Sequence, residues 1–131
     1  MPSRPSTRVF VSFDYNHDLD LKTLLVGQSR HPRSPFSVHD WSVKQSSRGW
    51  KTDARSRIRR SACLIAICGY YTDQAVGVTA EIAIARDEAT PVYLLRGRKA
   101  GRVSRPKGTS IFTTIHPWTW DNLLAMTIGR A

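Results

Sequence analysis

Long apolar runs are missing from this 131-residue chain. No stretch approaches the roughly 20 residues needed to cross a bilayer, and the opening Met-Pro-Ser-Arg-Pro-Ser-Thr-Arg lacks the apolar core of a secretory signal. A cytoplasmic location with no membrane contact is therefore expected. Cysteine is scarce: Cys63 and Cys68 lie five apart in one apolar segment, so on a strand they point to opposite faces and do not pair. Two buried, reduced thiols follow. Glycine does not cluster after the first apolar segment, which excludes both the dinucleotide fingerprint and the Walker phosphate loop. No His/Cys group has metal-ligand spacing, and the four histidines are scattered. No metal and no permanently bound cofactor are expected. Acid is in short supply as well, with 10 acidic against 20 basic residues and only two glutamates, Glu81 and Glu88.

What is present suits one folded domain. Apolar residues make up 40% and charged residues 23% of the chain, ordinary values for a globular protein. Residues 1–7, with two prolines and three Ser/Thr, read as a flexible lead-in to a domain spanning 8–131. The net charge of +10 favours contact with polyanions but does not choose among them. It is concentrated in Arg55, Arg57, Arg59 and Arg60, and in residues 96–107, where six of twelve residues are basic. Gly97, Gly101 and Pro106 interrupt the second stretch, which reads as a mobile, solvated loop. Nucleic-acid binding rests on net charge alone and is not expected.

Hydrophobic periodicity alternates between strand and helix. Val9 to Phe13 reads as a first strand and Asp18 to Gln28 as a helix with Leu21, Leu24 and Leu25 at helical spacing. Phe36, Val38 and Trp41 mark a second strand, and Trp50 to Arg60 an arginine-rich helix announced by Ser46, Ser47 and Gly49. Ala62 to Cys68, apolar throughout, suits a central parallel strand. Gly77 to Ala89, with Val78, Ile82, Ala85 and Ala89 on one stripe, leads into a strand at Pro91 to Leu95. Ile111 to Ile115 is expected as a fifth strand, and Pro117 at the first position of a last helix carrying Leu123, Leu124 and Ile128. Such alternation implies an α/β fold: a flavodoxin-like three-layer sandwich around a five-stranded parallel sheet in order 2-1-3-4-5.

In that order ligands bind beyond the carboxyl ends of strands one and three, between the loops Asp14 to Asp18 and Gly69 to Val76. A phospho-acceptor receiver would resemble its kind by an aspartate ending the third strand, where Cys68-Gly69 stands. Carboxylate chemistry remains. Glu81 lies at the margin of the Val78/Ile82/Ala85 stripe, half turned toward the sheet, whereas Glu88 lies too far along its helix and is expected to be solvated. The same sheet edge gathers Phe13, Asp14, Tyr15, Asp40, Trp41, Tyr70 and Tyr71, aromatic faces and carboxylates suited to stacked bases and ribose hydroxyls.

The segments Arg8-Val-Phe-Val-Ser-Phe-Asp-Tyr15, Asp40-Trp-Ser-Val-Lys44, Ile67-Cys-Gly69, Gly77-Val-Thr-Ala-Glu-Ile-Ala-Ile-Ala85 and Trp118-Thr-Trp120 together resemble the TIR-like proteins of the Thoeris anti-phage system. The resemblance runs from about Arg8 to the C-terminus. It implies a flavodoxin-like domain that cleaves nicotinamide from NAD, its substrate, and converts the ADP-ribose part into a signalling nucleotide, cyclic in the expected case. By the same resemblance Glu81 is the catalytic residue, Phe13 and Asp14 lie near the nicotinamide ribose, and Asp40 and Trp41 border the other side. Self-assembly and a downstream effector that senses the product are the implied partners. The chemistry is coherent, because breaking the ribose–nicotinamide bond develops oxocarbenium character that one carboxylate stabilises, while nicotinamide leaves neutral without a general acid. Two other readings stand beside it: a non-catalytic adaptor assembling through the arginine-rich helix and basic loop, and a nucleoside deoxyribosyltransferase-like enzyme of similar fold and glutamate chemistry.

Overall fold

The computed structural model describes residues 7–43 and 48–131. Most of the lead-in, with Lys44, Ser46 and Ser47, lies outside the described residues. Five parallel strands form one sheet in the order β2-β1-β3-β4-β5, the arrangement expected from the alternating pattern. The strands are β1 (Thr7–Ser12), β2 (Phe36–Trp41), β3 (Cys63–Cys68), β4 (Val92–Arg96) and β5 (Ile115–His116). Helices α1 (Leu19–Ser29), α2 (Trp50–Arg59), α3 (Val76–Asp87) and α4 (Trp120–Thr127) cross over between or after them. No described helix is long and apolar enough to cross a membrane.

The pleat sorts the central strands between two cores. Val9, Val11, Ile65 and Ile67 pack with Leu21 and Leu25 of α1 and Leu123 and Met126 of α4. Phe10, Leu64 and Ala66 pack on the other face with Ile58 of α2 and Val78, Ile82 and Ala85 of α3. All six residues of β3 are buried, as an all-apolar strand covered on both sides must be. Cys63 belongs to the first core and Cys68 to the second, both free, so the two thiols face apart as their spacing requires.

Several local expectations need correction. Thr7 is already in β1, paired with Phe36, so the strand begins two residues before its expected start at Val9. Leu24 is exposed, and Val26 takes the expected third place in the core beside Leu21 and Leu25. Ala89 leaves the α3 stripe: the helix stops at Asp87, and Ala89 turns left-handed at φ 56°. The fifth strand is only Ile115–His116, while Ile111 and Phe112 stand in a turn, 78% and 89% exposed. Pro117 does not open α4, which begins at Trp120 behind Thr119, whose hydroxyl accepts the Asn122 N–H at 3.1 Å. The basic stretch is tied down at several points: Arg96 donates to Gly101, Arg98 to Asp18 and Asp20, and Arg105 to Thr113. Glu88 is not solvated but bridges to Arg55 of α2 at 2.8 Å.

Candidate functional site

The carboxyl ends of β1 and β3, where consecutive crossovers leave on opposite faces, open into a cavity of about 510 Å³. That volume lies within the ordinary range for small-molecule sites. The wall from β1 is Phe13, Asp14, Tyr15, Asn16 and His17. The opposing wall runs from Tyr71 through Gln74 to the first turn of α3, and Ser42 and Val43 close the side beyond β2. These are the two loops that topology alone selects, joined by a third segment that it does not. At α3 the first N–H groups have no partner within the helix, and Ala75 supplies no side-chain cap. Val76, Gly77 and Val78 thus turn a helix N-terminus toward the cavity, a setting favourable to anionic groups.

Glu81 lies behind this cavity. Its carboxylate is buried, 2% exposed, beyond the half-turned position that a helical wheel assigns. The Ser12 hydroxyl donates to its Oε1 at 2.8 Å and the Ser42 hydroxyl donates to the same oxygen at 2.5 Å. Ser42 Oγ in turn accepts the Phe13 N–H at 3.0 Å, which fixes the hydroxyl between the strand end and the carboxylate. Burial pushes the Glu81 carboxyl up to about 7, against the pull of the two serine hydrogen bonds toward the ionised form. Glu81 also lines a smaller cleft of about 210 Å³ with Trp41, Trp50 and Arg57. Val43 borders both spaces, and Ser42 links the carboxylate to the larger one.

The remaining candidates divide. Phe13, Asp14 and Tyr15 line the cavity together, Phe13 and Tyr15 stacked with centroids 5.7 Å apart. Asp14 is buried, and its carboxylate meets the ring nitrogen Nδ1 of His17 at 2.6 Å. Trp41 borders the smaller cleft beside Glu81, with Lys22 Nζ 4.6 Å from its ring centre. Asp40 reaches neither space; it lies 3.6 Å from Arg8 and 3.7 Å from Arg57. Tyr70 points away as well, donating to the Ala100 carbonyl against Gly101, and its neighbour Tyr71 takes the cavity wall.

Sequence reasoning missed Ser12, Ser42 and His17. The serines are short side chains at strand ends with no signature of their own. His17 did carry a faint one, since it stands three residues after Asp14 in a loop already assigned to the site. Among the described residues no group of three or more His, Cys, Asp and Glu side chains is arranged to hold a metal ion.

Among known proteins, residues 10–100 match the family model described as Thoeris protein ThsB, TIR-like domain. No curated protein matches the chain.

Proposed function

The chain belongs to the TIR-like domain family of Thoeris protein ThsB, and from that premise we propose that it cleaves nicotinamide from NAD and converts the ADP-ribosyl part into a signalling nucleotide, cyclic in the simplest case. The observation that carries this reading is the buried Glu81 carboxylate behind the switch-point cavity, held by Ser12 and by Ser42, which itself lines that cavity. An ionised carboxylate beside the anomeric carbon lowers the barrier to a ribosyl cation, and its effect grows where water is excluded. Nicotinamide departs with the bonding electron pair and becomes neutral, so the reaction needs no acid on that side. The exposed Tyr15 ring, backed by the buried Phe13, offers a stacking face for a base, and the α3 N-terminus suits the pyrophosphate. NAD is substrate here, and the product is a diffusible messenger for an effector that senses it. Asp40 and Tyr70 face elsewhere and take no part in this arrangement.

Purified protein, with and without lysate from phage-infected cells, is given NAD and nicotinamide release is followed by chromatography. Release that Glu81→Gln lowers by about a hundredfold or more supports the reading. Unchanged NAD in both conditions, together with intact defence in cells carrying Glu81→Gln, removes it. One observation favours a second reading, a non-catalytic assembly module: Glu81 is nearly sealed from solvent, with its Oε1 already satisfied twice. Under that reading Glu81→Gln is silent in cells, and charge reversal at Arg57 on α2 and Arg60 just after it abolishes defence.

A further inference from the structure

The cavity holds an ionisable pair, Asp14 and His17, that nicotinamide release does not use. Asp14 is 5% exposed, and both of its oxygens are engaged: Oδ1 accepts the Asn16 N–H at 3.1 Å and Oδ2 lies 2.6 Å from His17 Nδ1. An ionised carboxylate only accepts, so the proton of the neutral imidazole resides on Nδ1 and the lone pair on Nε2. The ring is held from a second side by Tyr71, centroid to centroid 4.5 Å. The backbone beneath it is held by the Asp18 N–H donating to the Asp14 carbonyl at 2.8 Å and by the Arg98 guanidinium donating to the His17 carbonyl at 3.2 Å. No described residue hydrogen-bonds Nε2, and half of the His17 side chain is exposed where the residue lines the cavity. A ring whose Nδ1 is held by a buried carboxylate, whose Nε2 has no partner among the described residues, and which belongs to the lining of a ligand-sized space, is suited to act as a base.

We propose that His17, oriented by Asp14, is a second catalytic residue of this site, the general base that takes the proton from an oxygen acceptor as that oxygen attacks the ribosyl group. The proposal rests on the NAD-cleaving reading above. In the step, the acceptor oxygen of a hydroxyl or of water forms a bond to the anomeric carbon. The carbon–nitrogen bond to nicotinamide breaks, with its electron pair going to the ring nitrogen. The acceptor proton passes to His17 Nε2 and then to solvent, so that NAD and the acceptor become an O-linked ADP-ribosyl product, nicotinamide and a proton. Glu81 has a different place, facing the developing positive charge, with its Oε1 held by Ser12 and Ser42. A nitrogen acceptor with a bare lone pair has no proton to lose and needs no base.

That difference provides the test. The full chain is given NAD together with 3-acetylpyridine, and two products are followed from one reaction: the exchanged dinucleotide, formed by a pyridine nitrogen, and the products of transfer to oxygen, free ADP-ribose for water and the O-linked nucleotide for a hydroxyl. In His17→Gln the ratio of oxygen transfer to base exchange falls by about 10²-fold or more, the usual weight of a positioned base. In Asp14→Asn the ratio falls in the same direction. A histidine that served only packing or binding would change both reactions together and leave the ratio where it was, and that result overturns the proposal. If the wild-type protein carries out neither reaction, the NAD-cleaving reading itself fails and the role of His17 falls with it. A readout independent of turnover is the long-range proton–nitrogen NMR spectrum of the neutral His17 ring. It is expected to show Nδ1 protonated, and the opposite tautomer overturns the assignment.

Discussion

Replacing Glu81 by glutamine should stabilise the fold in a manner that depends on pH. The carboxyl is held protonated up to about 7 in the folded chain, against an ordinary value of 4.5, because burial opposes its charge more than the two serine hydrogen bonds favour it. Below 4.5 both folded and unfolded chains carry the proton, and the residue adds no penalty. As pH rises from 4.5 the unfolded chain ionises first, so stability falls until the folded carboxyl also ionises near 7. At about 1.4 kcal/mol for each tenfold change in proton activity, the loss across that window comes to about 3 kcal/mol. Against a typical total of about 5–15 kcal/mol this is a large share. Glutamine keeps an oxygen able to accept from Ser12 and Ser42, and it does not titrate.

The measurement is urea unfolding of wild type and Glu81→Gln at matched pH values from 4.5 to 8. Subtracting one protein from the other removes the contributions of all other titrating groups. Whatever fixed offset the amide introduces, the variant should gain about 3 kcal/mol on the wild type between the two ends. A difference that stays constant across the range, or that runs the other way, refutes the reasoning and means that the folded carboxyl titrates no higher than the unfolded one.

Three further expectations rest on packing and backbone geometry. Gly69→Ala places a Cβ 2.1 Å from Asp18 Oδ2, a carboxylate buried against Arg98 at 3.0 Å, so a loss of about 2–3 kcal/mol is expected in urea unfolding; an unchanged midpoint would mean that the loop shifts freely. Ala89→Gly should stabilise by up to about 1 kcal/mol, because Ala89 is left-handed at the end of α3, where Thr90 N–H donates to Ala85 and Ala89 N–H to Arg86; a net loss would show that unfolded-state entropy outweighs the relief. Cys63 and Cys68, both pushed up to about 12 by burial, should resist a thiol reagent at pH 8 in the native state and react on unfolding; rapid native modification would contradict the packing of β3.

The parts of the fold that were legible in the sequence are those whose local pattern and tertiary setting agree. Ala62 to Cys68 reads as a central strand because it is covered on both faces, and the β3-α3-β4 unit reads correctly because its apolar stripe meets the sheet. Ile111 to Ile115 misleads because Ile-Phe-Thr-Thr-Ile has the composition of a strand, yet only Ile115 finds a partner, Leu94, and the rest turns outward. Pro117 fits the first turn of a helix equally well in isolation, but Thr119 offers a side-chain cap two residues later. At the site, topology selected the loops, whereas side-chain direction within them was not legible. Tyr70 and Tyr71 are indistinguishable by position, and the hydrogen bond of Tyr70 to Ala100, 30 residues away, decides which ring reaches the cavity. The partnership of Glu81 with Ser12 and Ser42, across 69 and 39 residues, is a product of strand register that no local pattern announces.

That partnership bears on what Glu81 is for. Its position on α3 belongs to the face that packs on the sheet, beside Val78, Ile82 and Ala85, where an aliphatic side chain would bury area at no electrostatic cost. A carboxylate there destabilises the fold near neutral pH, and the chain adds two hydroxyls that moderate the penalty without cancelling it. Stability alone gives no reason for three polar side chains from β1, the end of β2 and α3 to converge on an otherwise apolar layer. A requirement for negative charge at that point does give one, because the serines lower the cost of ionisation while the surrounding burial keeps water from screening the charge. Locally unfavourable residues supported by long-range polar contacts are what selection for chemistry leaves in a core. Here they converge beside the cavity at the ends of β1 and β3, where the crossing connections already leave room for a ligand.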